Sequence, residues 1–197
     1  KVGLIGSYEF EILLKVMKHN KYINFSIYGD PEYTLLELAN KNDFKDIKGL
    51  IYRDGDELIK NESRELIKDL DDLPFPARHL LPINAYRRMP HEKLKEPCID
   101  MLVSRGCPYN CTYCSIKIIA GKLRRTRSPR KTIEEMKMLK NKYNVKQIHF
   151  QDPVLTINKK WILEFCDLLI GANLGLIWSC QTRTDCVDRE ILIKMKK

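Results

Sequence analysis

The sequence predicts an α/β chain in two parts: the last portion of a doubly wound sheet, then the first three βα units of a partial barrel. Three observations carry this. Short apolar runs alternate with amphipathic helical patterns at both ends of the chain, the signature of strands joined by crossover helices. The middle breaks that rhythm, with Pro74, Pro76, Pro82 and Pro90 in a stretch of no sustained period. Beyond it, three strand–helix pairs follow in succession, and right-handed crossovers would lay their strands side by side as an arc of a barrel. A closed barrel needs more strands than these. The expected divisions are residues 1–62, a connector at 63–97, and 98–197.

In the first part, "VGLIG" (Val2 to Gly6) reads as a buried strand ending in glycine. "FEILLKVMKH" follows as a helix with Ile12, Leu13, Val16 and Met17 on one face. "INFSIYGD" reads as a second strand. "DPEYTLLELANK" reads as a helix capped by Asp30, with Pro31 as its first residue. "IKGLIYRDGDELIK" reads as two strands joined by a turn at Asp54-Gly55. The connector carries enough apolar residues to pack on a surface rather than hang as a free tether.

In the second part, "CIDMLVS" is an apolar strand. "TIEEMKMLKNKY" is a helix whose Thr132 and Glu135 fit a capping box. "VKQIHF" is a strand, and "NKKWILEFCDLLI" an amphipathic helix with Trp161, Ile162, Phe165, Leu168 and Leu169 inward. "GLIWSCQT" and "VDREILIKMKK" supply the last strand and helix.

Composition bounds the function classes. Of the 197 residues, 44% are hydrophobic and 31% charged, a globular and not a disordered balance. No apolar run approaches the ~20 residues of a membrane span. The chain opens on Lys1 with no leader-like pattern, so the cytoplasm is the expected compartment, and the true amino terminus is expected upstream. A net charge of +9 would draw nucleic acid, anionic lipid or an acidic substrate, or would simply solvate Lys-rich faces.

The sharpest motif is "SRGCPYNCTYCS", Ser104 to Ser115, which follows the first strand of the second part and holds Cys107, Cys111 and Cys114. Sites in α/β folds gather at the carboxyl ends of strands. Three thiols so close do not read as a disulfide framework, and in a cytosolic chain they read as metal ligands. Thiolates select zinc, copper(I) or iron–sulfur clusters. A structural zinc wants a fourth ligand. No His lies in the loop, and Cys98 sits at the far end of the strand, so three ligands describe an open site.

This strand-then-CxxxCxxC arrangement, with Tyr113 just before the last cysteine, resembles the radical S-adenosylmethionine (SAM) enzymes. "LPFPARHLLP", "RRTRSPRKTIEEM" and "WSCQTRTD" resemble the subfamily with an N-terminal cobalamin-binding domain, which includes methyltransferases of unreactive carbon and phosphinate centres and a porphyrin ring cyclase. The resemblance implies a Rossmann-like cobalamin domain followed by a TIM-like radical SAM barrel. It implies that Cys107, Cys111 and Cys114 ligate a [4Fe–4S] cluster whose fourth iron holds S-adenosylmethionine. Reductive cleavage would then give methionine and a 5′-deoxyadenosyl radical, with a flavodoxin or ferredoxin as reductant and a small molecule or peptide as substrate.

The resemblance also assigns residues. Tyr113 would lie near the adenine, against the alternative of a ring packed on the barrel rim. Asp152 would contact the cofactor's ammonium, although Gln151 stands where a paired acid is often found; the alternative is a cap on the turn before Pro153. Arg183 and Asp185 would lie near the ribose or carboxylate, or form an ordinary ion pair. Gly6 and Ser7 would face the corrin of cobalamin, whose cobalt-binding His segment is not in this sequence.

The remaining features have plainer readings. Lys117, Lys122, Arg124, Arg125, Arg127, Arg130 and Lys131 form a run without an acid, read as a loop that shields the site and neutralises anions. No aromatics interleave these charges after Tyr113, which disfavours nucleic acid. Cys166, Cys180 and Cys186 read as small apolar residues, and His149 as a satisfied core histidine. His19, His79 and His91 form no constellation. The competing function class is a zinc- or nucleic-acid-binding module. A methylthiotransferase would want a second cysteine trio upstream, and residues 1–97 hold no cysteine.

Overall fold

The computed structural model describes residues 1–6, 9–41, 43–86 and 94–197. Ser7, Pro90 and His91 lie outside the described residues. The chain forms two compact units: residues 1–68 with 106–123, and residues 69–105 with 124–197.

The first unit holds a four-stranded sheet in the order β1 (Gly3–Ile5), β2 (Phe25–Ile27), β3 (Leu50–Asp54), β4 (Glu57–Lys60). Helices α1 (Phe10–His19) and α2 (Glu32–Asn40) follow β1 and β2. Only β1 and β2 run parallel; β2–β3 and β3–β4 are antiparallel. The parallel, doubly wound reading thus holds for β1 and β2 and is corrected at β3, which runs antiparallel to β2. The hairpin expected at Asp54-Gly55 is present: Asp54 pairs with Glu57, and Gly55, at φ +56°, turns the chain back.

Three finer expectations are also corrected. Strand β1 is not buried: Val2 and Ile5 are exposed, because β1 lies at the edge of the sheet. Leu13 and Met17 are fully buried, but Ile12 and Val16 are exposed. Each lies one helical step, about 100°, off the buried stripe, and Phe10 and Leu14 flank that stripe instead. Asp30 does not cap α2; its carboxylate accepts the Ile67 N–H at 2.9 Å. Residues 106–123 add a short helix, α3 (Ile116–Ile119).

The second unit opens on 3-10 turns at Leu70–Asp72, Arg78–Leu80 and Ile83–Ala85. Leu70 and Leu73 are buried, so this length of connector packs as expected. The strands are β5 (Cys98–Met101), β6 (Ser104–Arg105), β7 (Arg125–Thr126), β8 (Gln147–Phe150) and β9 (Ile177–Cys180). The helices are α4 (Pro129–Tyr143), α5 (Lys159–Ala172) and α6 (Arg189–Lys196).

Strands β5, β8 and β9 form a parallel sheet in that order, as three consecutive βα units require. Helices α4 and α5 both end on asparagines in the left-handed region, Asn144 at φ 52° and Asn173 at φ 44°. Met136, Leu139, Ile148, Phe150, Ile162 and Phe165 build the core between sheet and helices. Helix α4 begins at Pro129, with the Ser128 hydroxyl accepting the Lys131 N–H. Thr132 and Glu135 thus fall inside the helix and form no capping box.

Candidate metal and cofactor site

The cysteine loop starts where β5 ends. Its two limbs are zipped by the antiparallel pair β6 and β7, with Ser104 opposite Thr126 and Arg105 opposite Arg125. Gly106 turns the chain at φ +83°, and a Cβ there would stand 2.2 Å from the Leu123 carbonyl oxygen. Only glycine permits that approach. The Cys107 N–H donates to the Gly121 carbonyl at 3.1 Å, and the Cys114 N–H to the Cys111 carbonyl at 3.1 Å.

All seven cysteines are outside disulfides. Cys107 is 7% exposed, and Cys111 and Cys114 are half-buried. Among the described residues, no three His, Cys, Asp or Glu side chains converge as a ready-made metal site. The three thiols therefore share one loop without meeting at a point. Their donor chemistry fits a soft metal centre: three sulfurs outside disulfides at fixed spacing on a short, anchored loop. Tyr113 is 91% exposed.

In the second unit, Asp152 follows β8 and is fully buried. It accepts the Val103 N–H at 3.2 Å and the Ser104 hydroxyl. Burial holds its carboxyl above the usual range, against the pull of those bonds and of the Arg124 charge. Its oxygens thus engage the outgoing limb of the loop rather than capping the turn at Pro153. Arg183 and Asp185 form a bidentate pair at 2.9 and 2.7 Å, half-exposed at the end of β9. The Arg183 bonds hold the Asp185 carboxyl below its usual value. Gly6 follows β1 and is half-buried.

The basic run divides. Arg125 and Arg127 are buried, and Arg124 donates to the Val154 carbonyl at 2.6 Å. These three are internal fasteners rather than a surface for anions. Cys166 is buried, whereas Cys180 and Cys186 are half-buried. Burial, reinforced by the negative charge of Asp167, pushes the Cys166 thiol up to about 11. Burial with Asp152 and Cys166 nearby does the same to Cys180, also to about 11. His149 meets Ser179 Oγ at 2.7 Å in the core.

Sequence reasoning missed Arg78 and the role of Glu135, which meet as a buried ion pair at 2.5 Å. The available signal was Ser128-Pro129, a cap followed by a first-turn proline, which moves the helix start and frees Glu135 from capping.

The sequence pattern of the Radical SAM superfamily matches residues 101–197. That superfamily implies a [4Fe–4S] cluster and S-adenosylmethionine as cofactors. The chain is 29% identical over 185 residues to an uncharacterized methyltransferase of Pyrococcus horikoshii, covering 92% of this chain and 39% of that protein. It is 26% identical over 185 residues to an anaerobic magnesium-protoporphyrin IX monomethyl ester cyclase of Cereibacter sphaeroides, covering 89% and 29%. It thus spans well under half of either relative. By fold it is similar to a cobalamin-dependent S-adenosylmethionine radical enzyme, OxsB, solved with aqua-cobalamin, at a TM-score of 0.70 and 18% identity. That similarity covers 98% of this chain and 28% of the other. No helix among the described residues is long and apolar enough to cross a membrane.

Proposed function

We propose that the radical SAM segment holds a [4Fe–4S] cluster on Cys107, Cys111 and Cys114, and binds S-adenosylmethionine at the iron they leave unligated. The observation that carries this reading is the loop itself: three thiols outside disulfides at CxxxCxxC spacing beyond the first parallel strand. When bound, these cofactors supply one-electron reductive cleavage of a sulfonium carbon–sulfur bond, with an electron from a flavodoxin or ferredoxin.

The chain's own residues position and shelter. Gly106 and the Cys107–Gly121 bond fold the loop, and Asp152 holds its outgoing limb. Exposed Tyr113 is free to cover an adenine, and the Arg183–Asp185 pair offers polar groups to a ribose or carboxylate. The methyltransferase and cobalamin-enzyme names of the relatives support a cobalamin-dependent methylation, or a related C–H functionalisation, for the whole protein. Gly6 would then sit on the corrin-facing side of the first unit, with Ser7 beside it in sequence. Thiolate ligands want a reducing compartment, which supports the cytoplasm.

The test is anaerobic reconstitution with iron and sulfide, then electron paramagnetic resonance of the reduced protein with and without S-adenosylmethionine. A four-iron signal that shifts with the cofactor is expected. Bound zinc with no cluster would overturn the reading.

A further inference from the structure

Glu135 on α4 is 3% exposed, and two guanidinium groups share it. Oε1 accepts Arg78 Nη1 at 2.5 Å, and Oε2 accepts Arg127 Nη1 at 3.0 Å. Each arginine then uses its other terminal nitrogen on backbone. Arg78 Nη2 donates to the Asp100 carbonyl at 3.1 Å. Arg127 Nη2 donates to the Leu70 and Leu73 carbonyls, each at 3.3 Å. The Phe75 ring lies 5.4 Å from the Arg127 guanidinium. One carboxylate therefore ties the turn at residues 70–73, strand β5 and the residue just after β7 to one helix. Arg127 is also the point where the returning limb of the cysteine loop joins the core, its N–H donating to the Val103 carbonyl at 2.7 Å.

Stability is a weak reason for such an arrangement. Buried ion pairs often do no better than apolar residues of the same volume. What two forked guanidiniums on one carboxylate do supply is fixed geometry.

We propose that Glu135 is a positioning residue for the cysteine loop: through Arg78 and Arg127 it sets where the returning limb leaves the sheet. This rests on reading the loop as the cluster site. The class of ligand it serves is a thiolate-bound iron–sulfur cluster, which Glu135 never touches.

The experiment compares wild type with Arg78→Met, Arg78→Lys, Glu135→Gln and Glu135→Asp, with Ile191→Ala on α6 as a core control of matched melting temperature. Arg78→Met leaves Glu135 and Arg127 as a neutral pair, so it decides the matter should Glu135→Gln not fold. Two quantities are read. One is amide exchange of the cluster-free chain over residues 103–107 and 124–128, with β8 as internal reference. The other is iron bound per chain after reconstitution.

Arg78→Met and Glu135→Gln are expected to speed exchange in both limbs about 10-fold with β8 unchanged. They are expected to weaken cluster loading about 10-fold, as loss of a supporting contact does at metal sites. The conservative variants should recover part of both, and Ile191→Ala should keep its loading. Folded variants with wild-type exchange would overturn the proposal, as would an equal loss of loading in Ile191→Ala. A wild-type chain that takes up no iron would overturn the cluster reading instead, and the exchange data would still decide whether Glu135 orders the loop.

Discussion

Asp152 stands two residues beyond β8 and Val103 two residues beyond β5, and the carboxylate of the one accepts the N–H of the other at 3.2 Å. The register brings them together, because Met101 pairs with Phe150 in the parallel ladder. Burial raises the Asp152 pKa above its ordinary 3.8. An acid whose folded pKa is raised binds its proton more tightly in the native state. Its contribution to stability is therefore full below 3.8 and lost as pH rises through the raised value. Measured against Asp152→Asn, which does not titrate, wild type should lose relative stability over that window and then level off. Urea unfolding at a series of pH values checks this. A difference that grows with pH would mean the hydrogen bonds from Val103 and Ser104 outweigh desolvation.

Much of this arrangement was legible in sequence, and the failures share a cause. Helix α1 and the β3–β4 hairpin are set by signals within a few residues: apolar spacing, and Gly55 after Asp54. The order of β5, β8 and β9 follows from crossover handedness. Asp30 was misread because its partner, the Ile67 N–H, lies 37 residues away. Strands β6 and β7 have two residues each, too short for any alternation to register. In the site, cysteine spacing was readable because ligand geometry is local. Arg78 was not, because nothing about an arginine among prolines says that it faces α4.

The seven thiols should divide by environment. A thiol pushed up to about 11, as Cys166 and Cys180 are, is only roughly 0.1% thiolate at pH 8. Alkylation with iodoacetamide in the native, cluster-free chain should therefore mark half-buried Cys111 and Cys114 well before buried Cys166. After reconstitution, Cys107, Cys111 and Cys114 should all be protected. Alanine at any of these three should abolish cluster assembly, whereas Cys166→Ala should not. Mass spectrometry of the labelled peptides and iron analysis give the answer, and equal loss of iron from Cys166→Ala would remove the ligand assignment.

Two glycine-to-alanine changes should move stability in opposite directions. Gly106 has φ +83° and a backbone oxygen 2.2 Å from where a Cβ would sit. Alanine there should cost at least about 1 kcal/mol from the backbone conformation alone, and the loop should bind less iron. Gly171 lies within α5, and a Cβ there meets nothing within 4 Å. Gly171→Ala should stabilise by about 0.5–1 kcal/mol through helix propensity. Denaturant midpoints of the two variants, with iron loading beside them, make the comparison.

Trp161 joins the helix that follows β8 to the limb that returns from the cysteine loop. Its indole N–H donates to the Arg127 carbonyl at 2.8 Å, and its ring stacks on Phe165 with centroids 5.3 Å apart. Helical spacing alone explains the burial, but not why the residue is tryptophan. Trp161→Phe separates the two roles, because it keeps an aromatic ring and removes the donor. The Arg127 carbonyl would then be buried without that bond, at a cost of about 1–3 kcal/mol. The loss should appear in urea unfolding and as faster amide exchange at residues 124–128, with α5 itself unchanged. Leucine at the same position would remove the stacked ring as well and should cost more than phenylalanine. If phenylalanine is tolerated without loss while leucine is not, packing against Phe165 is what Trp161 supplies, and the limb is held by Glu135 and Val103 without it.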